Sequence, residues 1–303
     1  VSDLAVVGSV ALDSVETPFG KVAEVLGGSA TYFSYSSSFF TRVRLVAVVG
    51  EDFPERHMSL LKDRGVDISG LEVTRGRTFR WMGQYGYDLN EAHTLDTQLN
   101  VFAEFRPTLG ADIRRAEFLF LANIDPEIQL DVLRQMGTRP KLVALDTMNF
   151  WIQGKRDALL RVLAEVDVVT INDAEARQLA GEANLVKAAR AISAMGPTTV
   201  VVKRGEYGAL MVSHGAFFVV PAYPLDAVYD PTGAGDTFAG GFMGYLAKQG
   251  QADAATMRRA IVFGSVMASF TVEDFSLNRL ARLTQAEIDE RFAAFKDLMR
   301  LPA

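Results

Sequence analysis

Asp230-Pro231-Thr232-Gly233-Ala234-Gly235-Asp236-Thr237-Phe238-Ala239-Gly240-Gly241 is the stretch from which the rest of the chain is best read. Gly233 and Gly235 permit backbone conformations closed to other residues and let an anion approach the main chain. A helical pattern follows at once, so the N–H groups of Gly233, Ala234, Gly235 and Asp236 are expected to converge on one spot. Such a helix start attracts negative charge through unpaired N–H groups and the helix dipole. A carboxylate there would repel a phosphate that was merely being held. It makes sense if Asp236 accepts a proton from an attacking hydroxyl while the N–H groups stabilise a transferring phosphoryl group. The plainer alternative is that Asp236 only caps a helix after a glycine turn.

The chain after Asp236 reads as helices over 237–249, 253–272 and 284–301. Before it, β-branched and apolar runs at 4–10, 43–49, 118–122, 142–146, 166–171 and 198–203 read as strands buried on both faces. Helix-spaced segments lie between them at 126–136, 151–164 and 185–195; in the last, Leu185, Ala188, Ala189 and Ile192 mark one face. This alternation predicts an α/β fold with a central, mainly parallel sheet and helices on both faces. Two regions, 14–26 and 78–106, break the rhythm with short alternating segments rich in Tyr, Phe, Thr and Val, clearest at 80–87 and 97–105. They predict a small, mainly antiparallel β-lid inserted in a single domain spanning 1–303; the alternative is an extra edge of the main sheet. The uncharged run 207–225 is long enough to raise the question of a membrane span, but His214-Gly215, Pro221 and Pro224 make it a hairpin with arms at 209–212 and 217–220.

With 49% hydrophobic and 22% charged residues, the chain can build a substantial core. A net charge of −6 argues against a nucleic-acid partner. Cysteine is absent, which excludes disulfides and thiolate metal sites and is compatible with a cytoplasmic setting. The first residues begin like a core strand without a basic leader, so neither a secretory signal nor a membrane partner is expected.

Six segments in order along the chain resemble the PfkB/ribokinase-like carbohydrate kinase superfamily. Gly8-Ser9-Val10-Ala11-Leu12-Asp13 resembles its first strand ending in a sugar-binding aspartate. Gly27-Gly28-Ser29-Ala30 is similar to the first signature, and Val49-Gly50-Glu51-Asp52-Phe53 to its strand-end G-x-D. Asn172-Asp173-Ala174-Glu175 matches N-x-x-E, Lys203-Arg204-Gly205-Glu206-Tyr207-Gly208 matches K-x-G-x-x-G, and 230–238 matches the second signature. The resemblance implies ATP-dependent phosphorylation of a hydroxyl on a sugar or sugar derivative. Asp236 would be the general base, with the Gly233, Ala234, Gly235 and Asp236 backbone as anion hole. It implies acceptor contacts from Asp13, Gly27 and Gly28, and nucleotide contacts from Asn172, Lys203, Gly205, Gly208 and Thr232. Glu175 would hold Mg²⁺, and Asp230 with Thr232 a monovalent cation such as K⁺. For Glu175 the plain alternative is a first-turn carboxylate favoured by the helix dipole.

The pattern departs from the family at Tyr32, where many sugar kinases carry Asn. A tyrosine there stacks on a substrate ring, reshapes the pocket or packs in the core. Asn123 and Asn149 follow strands at the expected active edge and are candidates for reading hydroxyls. Arg80 and Arg106 flank the lid: facing inward they would favour an anionic acceptor, facing solvent a neutral one. Two rival functions follow. One is a nucleoside kinase of the same fold, with Tyr32, Phe79 and Trp81 around a base. The other is a non-catalytic sugar- or nucleotide-binding regulator, which would have no use for a base at the anion hole. Exposed lid strands invite pairing between subunits, so a homodimer through the lid is expected.

Overall fold

The computed structural model describes residues 2–300, so the last residue of the helix expected over 284–301 lies outside the described residues. The strands are β1 (Leu4–Val7), β2 (Ala11–Thr17), β3 (Gly20–Gly27), β4 (Val43–Gly50), β5 (Asp67–Thr74), β6 (Phe79–Tyr85), β7 (Ala92–Gln98), β8 (Phe118–Leu121), β9 (Leu142–Asp146), β10 (Val168–Asn172), β11 (Thr199–Lys203), β12 (Ala209–Ser213) and β13 (Ala216–Val220). Nine of them form one sheet in the order β13-β12-β11-β10-β9-β8-β1-β4-β5. Every pairing from β11 through to β5 is parallel. At the other end the pairings β11–β12 and β12–β13 run antiparallel.

Alternate side chains of a strand point to opposite faces, and this is how the sheet makes two cores. Leu4 and Val6 join Phe33, Phe238, Phe242 and Ile261 on one face; Ala5 and Val7 join Ile128, Val132, Leu159 and Ile192 on the other. On the first face the helix Ala234–Gln249 lies against the helix Ser29–Ser37, where a Cβ at Gly240 would stand 2.5 Å from the Phe33 carbonyl oxygen. That close approach sets the helix bearing Asp236 directly on the helix that follows the di-glycine.

The remaining strands form a separate four-stranded sheet, β3-β2-β6-β7, not an added edge of the large one. Within it β2 and β6 run parallel and the outer pairs antiparallel. Three expectations need correction. The first strand stops at Val7, because Ser9 turns aside to serve the helix Ser29–Ser37: its Oγ accepts the Ser29 N–H (3.0 Å) and its carbonyl the Ala30 N–H (3.0 Å). Asp13 therefore stands inside β2, in the small sheet, and not at the end of the first strand. The segment expected to alternate over 97–105 leaves the sheet after Gln98; Asn100–Glu104 is a 3-10 helix, whose Phe102 stacks on Phe79 (5.3 Å) and Phe105 (5.7 Å). Apolar residues three apart suit that tighter helix as well as they suit an irregular strand. The helix expected over 151–164 is two, Asn149–Gly154 and Arg156–Leu163, broken at Lys155, whose ammonium is held by Asp125 and Glu127 at 2.7 Å each.

Candidate active site

A run of parallel strands puts all its carboxyl ends on one edge of the sheet, where open α/β sheets bind ligands. Along that edge the chain sets Asn123 after β8, Asp146 ending β9, Asn172 ending β10 and Lys203 ending β11. Register makes neighbours of them: Asp146 pairs with Thr170, and Asn172 with Lys203. The glycine turn faces this edge, since a Cβ at Gly235 would stand 3.0 Å from Lys203 Nζ.

The turn is built as its glycines suggest. Gly233 is the N-cap of the helix Ala234–Gln249 with φ 74°, and a Cβ on it would overlap the Tyr32 ring. The Ala234 N–H is already committed to the Pro231 carbonyl (3.1 Å), so it is not free as expected. The N–H groups of Gly233 and Gly235 have no protein acceptor among the described residues, and that of Asp236 is turned towards its own carboxylate. Asp230 anchors the loop from below. It is buried, with Oδ1 accepting the Thr232 N–H (2.9 Å) and Oδ2 the Ser276 N–H (3.2 Å).

Charge at this edge is unbalanced. Lys203 Nζ donates to Asp146 Oδ2 at 2.6 Å, with side chains 16% and 5% exposed. Thr170 Oγ1 donates to the same oxygen (3.1 Å) and the Thr147 N–H to Oδ1 (2.8 Å), so the Asp146 carboxylate is rigidly held. Burial pushes the Asp236 carboxyl up to about 7, with the Asp146 charge adding to the rise and Lys203 opposing it. Burial likewise raises Glu175 to about 7, with Asp146 adding and Lys203 and the Asn172 N–H opposing. Burial works against the Lys203 ammonium, but Asp146, Glu175 and Asp236 outweigh it and hold its pKa above the ordinary lysine value. One ammonium thus serves three carboxylates, and removing further positive charge from the site would be costly.

Asn172 and Glu175 close a capping box on the helix Asp173–Ala180: Glu175 Oε2 accepts the Asn172 N–H (3.0 Å) and Asn172 Oδ1 the Glu175 N–H (2.8 Å). The plain first-turn role is therefore filled. Glu175 Oε1 has no hydrogen-bond donor among the described residues and stays open to a ligand.

On the other wall Asp13 is buried and pushed up to about 7, by burial first; the Gly28 N–H opposes the shift while Asp230 and Asp236 add to it. Its carboxylate lies over Gly27, where a Cβ would overlap it, and Gly28 (φ 94°) turns the chain into the helix Ser29–Ser37. The di-glycine therefore makes room for this carboxylate and sets the Gly28 N–H beside it. Gly27→Ala is expected to displace the Asp13 carboxylate; where that carboxylate holds the acceptor, as the resemblance implies, KM for the acceptor rises about tenfold or more with KM for ATP unchanged, as measured by steady-state kinetics varying each substrate in turn.

Other expected contacts fall differently. Tyr32 is 1% exposed, its ring enclosed beneath the Gly233 turn, so it packs in the core and offers no face to an acceptor. Phe79 is spent on Phe102, so Tyr32, Phe79 and Trp81 do not surround a base. Asn123 accepts from Trp151 Nε1–H (3.0 Å); Asn149 is exposed and its Oδ1 accepts the Phe150 N–H (2.9 Å). Gly205 (φ 52°) sits against the Asn90 side chain from the β6–β7 turn, and Gly208 (φ 83°) lets its backbone approach the Val220 carbonyl in the β12–β13 hairpin. Arg80 is ion-paired to Glu24 (2.7 Å) and Asp52 (2.9 Å), and Arg106 is exposed, so neither guanidinium is offered to an acceptor.

Two residues of the site belong to no motif in the sequence. Asp146 is the partner of Lys203; the signal was an acid closing an otherwise apolar strand. Tyr85, at the end of β6, brings its hydroxyl to Thr232 Oγ1 (3.3 Å) and ties the small sheet to the anion turn.

The pfkB family carbohydrate kinase model matches residues 2–281. The chain is 31% identical to the cytidine kinase of Thermococcus kodakarensis over 248 residues, covering 80% of this chain and 87% of that one. It is 28% identical to the nucleoside kinase of Methanothermobacter thermautotrophicus over 290 residues, 90% of each. Its fold superposes on the Vibrio cholerae fructokinase in its fructose-, ADP- and calcium-bound form with a TM-score of 0.76 at 19% identity, covering 95% of this chain and 98% of that one. The protein whose carboxyl-edge acids and glycine turn are described above belongs to the pfkB family of carbohydrate kinases.

Proposed function

We propose that this protein transfers the terminal phosphoryl group of ATP to a hydroxyl of a sugar or nucleoside, with Asp236 as the general base. The observation that carries this reading is a buried carboxylate at a helix start whose free N–H groups and neighbouring ammonium are arranged for an anion. Asp13 accepts hydroxyls of the acceptor and holds one of them towards Asp236. Asp236 takes that proton as the alcohol oxygen attacks the γ-phosphorus; the bond to the β–γ bridging oxygen breaks and ADP leaves. The Gly233 and Gly235 N–H groups and Lys203 stabilise charge on the transferring group. ATP lies along the edge marked by Asn172, Lys203, Gly205, Gly208 and Thr232. With Arg80 ion-paired and Arg106 exposed at the rim, a neutral acceptor is favoured.

The acids fit Mg²⁺ in an outer-sphere role. Asp146, Glu175 and Asp236 share one ammonium, and Glu175 Oε1 is open, yet among the described residues no cluster of three ligands stands at metal distance. Glu175 would hold the ion through water, with phosphate oxygens completing the shell; the bound ion would neutralise phosphate charge. Each oxygen of Asp230 accepts one backbone N–H, which joins the loops around Thr232 and Ser276, and keeps a second lone pair that a monovalent cation such as K⁺ would use.

The four-stranded sheet, tied to the turn by Tyr85 and to Gly205 by Asn90, acts as a cover over the acceptor. Its outer strands β3 and β7 present open edges suited to pairing in a homodimer, which sedimentation would detect. Among the described residues no helix is long and apolar enough to cross a membrane; a cytoplasmic location belongs to the same proposal.

Measurement of ADP release from Mg–ATP with a panel of free sugars and nucleosides tests the reading. Acceptor-dependent release is expected. None with any acceptor, despite ATP binding, would return the chain to the non-catalytic alternative. Because the base must be ionised and its carboxyl sits at about 7, kcat/KM for the acceptor is expected to rise with pH towards a plateau above about 7. A flat profile between pH 5 and 8 contradicts the assignment.

A further inference from the structure

Trp81 is a side chain for which the reaction just described has no use. In the parallel pairing of β2 with β6, Asp13 stands opposite Trp81 and Val15 opposite Gly83. Residues directly paired across strands share a face, so Trp81 and Gly83 lie on the face that carries Asp13, as does Tyr85 two residues further on. This face looks towards the anion turn: Tyr85 reaches Thr232, and Thr17, also on it, donates to the Tyr229 carbonyl (2.9 Å). The opposite face carries Glu16 and Gln84, bonded to each other at 3.2 Å, and Met82, 42% exposed.

The indole lies flat on its own sheet. A Cβ on Gly83 would overlap the Trp81 six-membered ring, so glycine at that place is what lets the ring rest on the backbone. Its Nε1–H donates to Thr94 Oγ1 (3.2 Å) on β7, which fixes the ring in its plane. No other aromatic ring stacks on it among the described residues, and it is half-buried, leaving one face uncovered. A rigid, uncovered aromatic plane beside a buried hydroxyl-accepting carboxylate is a ligand surface rather than a packing element.

Its position says what it holds. The ring leans from β6 towards β7, away from β2, and adjacent strands are about 4.8 Å apart. A free sugar bridging Asp13 and Asp236 is roughly one such spacing across and leaves the indole bare. A planar group attached to that sugar extends across the next strand and lies on the indole. Resting on the kinase reading above, we propose that the acceptor is a nucleoside, with its sugar hydroxyls on Asp13 and its base stacked on the open face of Trp81. Stacking is tolerant of base identity, because every base has a π face.

Calorimetric titration of the full chain with cytidine, inosine and ribose tests this, alongside Trp81→Ala and Trp81→Phe. At least one nucleoside is expected to bind about tenfold or more tightly than ribose. Trp81→Ala is expected to weaken nucleoside binding about ten- to a hundredfold with ribose unchanged, and Trp81→Phe to recover most of the loss. If Trp81→Ala does not fold, Trp81→Leu keeps the apolar bulk without the π face and is expected to show the same loss. Ribose binding as tightly as both nucleosides, or substitution weakening all three ligands alike or none, overturns the inference. ADP release in the same samples separates it from the kinase reading. Ribose phosphorylated with nucleosides ignored overturns the inference and leaves the kinase standing. Trp81-dependent nucleoside binding without any ADP release removes the kinase and keeps the stacking site.

Discussion

Asp236→Asn is expected to lower kcat by about 10²–10⁴-fold while ATP still binds, as followed by ADP release and by calorimetric titration of the nucleotide. The amide keeps the shape of the side chain but cannot take a proton from the attacking alcohol. The same substitution is expected to stabilise the unliganded protein at alkaline pH. Burial raises Asp13, Glu175 and Asp236 to about 7 in the folded chain, against 3.8 to 4.5 for unperturbed carboxyls. Between these limits the folded state retains protons that the unfolded state has released. Its stability therefore falls as pH rises from about 4 to 7, and the loss is complete above the folded value. Unfolding followed by circular dichroism is expected to give a lower Tm at pH 8 than at pH 5. Asp236→Asn, which carries no charge at either pH, is expected to raise Tm at pH 8 by about 2 °C or more. Unaltered turnover would refute the base, and an unaltered pH 8 melting point would refute the cost of ionising this buried carboxyl.

The second large effect concerns the buried pair Lys203–Asp146. Lys203→Met leaves Asp146, Glu175 and Asp236 together without their ammonium. Asp236 then ionises only at higher pH, so the acid limb of kcat/KM is expected to move above 7 and activity at pH 7 to fall tenfold or more. Asp146→Ala has the opposite electrostatic sign for Asp236, but takes from Lys203 its hydrogen-bonded partner and leaves only the neighbouring charges of Glu175 and Asp236 to balance a largely buried ammonium. Its melting temperature is expected to drop, and the double substitution Asp146→Ala/Lys203→Met to recover much of the loss, because it removes both charges. Equal pH profiles for wild type and Lys203→Met would show that Lys203 binds phosphate without tuning the base. The pair is then only structural if the double substitution also turns over normally.

Much of this site was legible in the chain because it depends on local sequence. The glycine turn, the Asn172–Glu175 box and the di-glycine before Ser29 each comprise a few consecutive residues whose backbone demands are set by residue type. The parallel sheet could be read for the same reason, since strands covered on both faces are continuously apolar. The failures have one cause. Asp146 looks like the end of a strand until β9 is placed two strands from β11, and its importance comes from a lysine 57 residues away. Tyr32 sits four residues beyond the second glycine of the di-glycine, but the Gly233 turn, brought over it by the fold, encloses its ring. Tyr85 acquires meaning only through the register of β6 against β2.

Residue type and spacing alone thus determined the α/β class, the anion turn and the acid within it, since helix starts, glycine turns and buried strands follow from neighbours along the chain. Tertiary structure alone decided which acids share Lys203, how far burial lifts their pKa values, and which face of the small sheet looks into the site. Desolvation and Coulomb interaction act through space, and which groups come within their range is set by strand order and register.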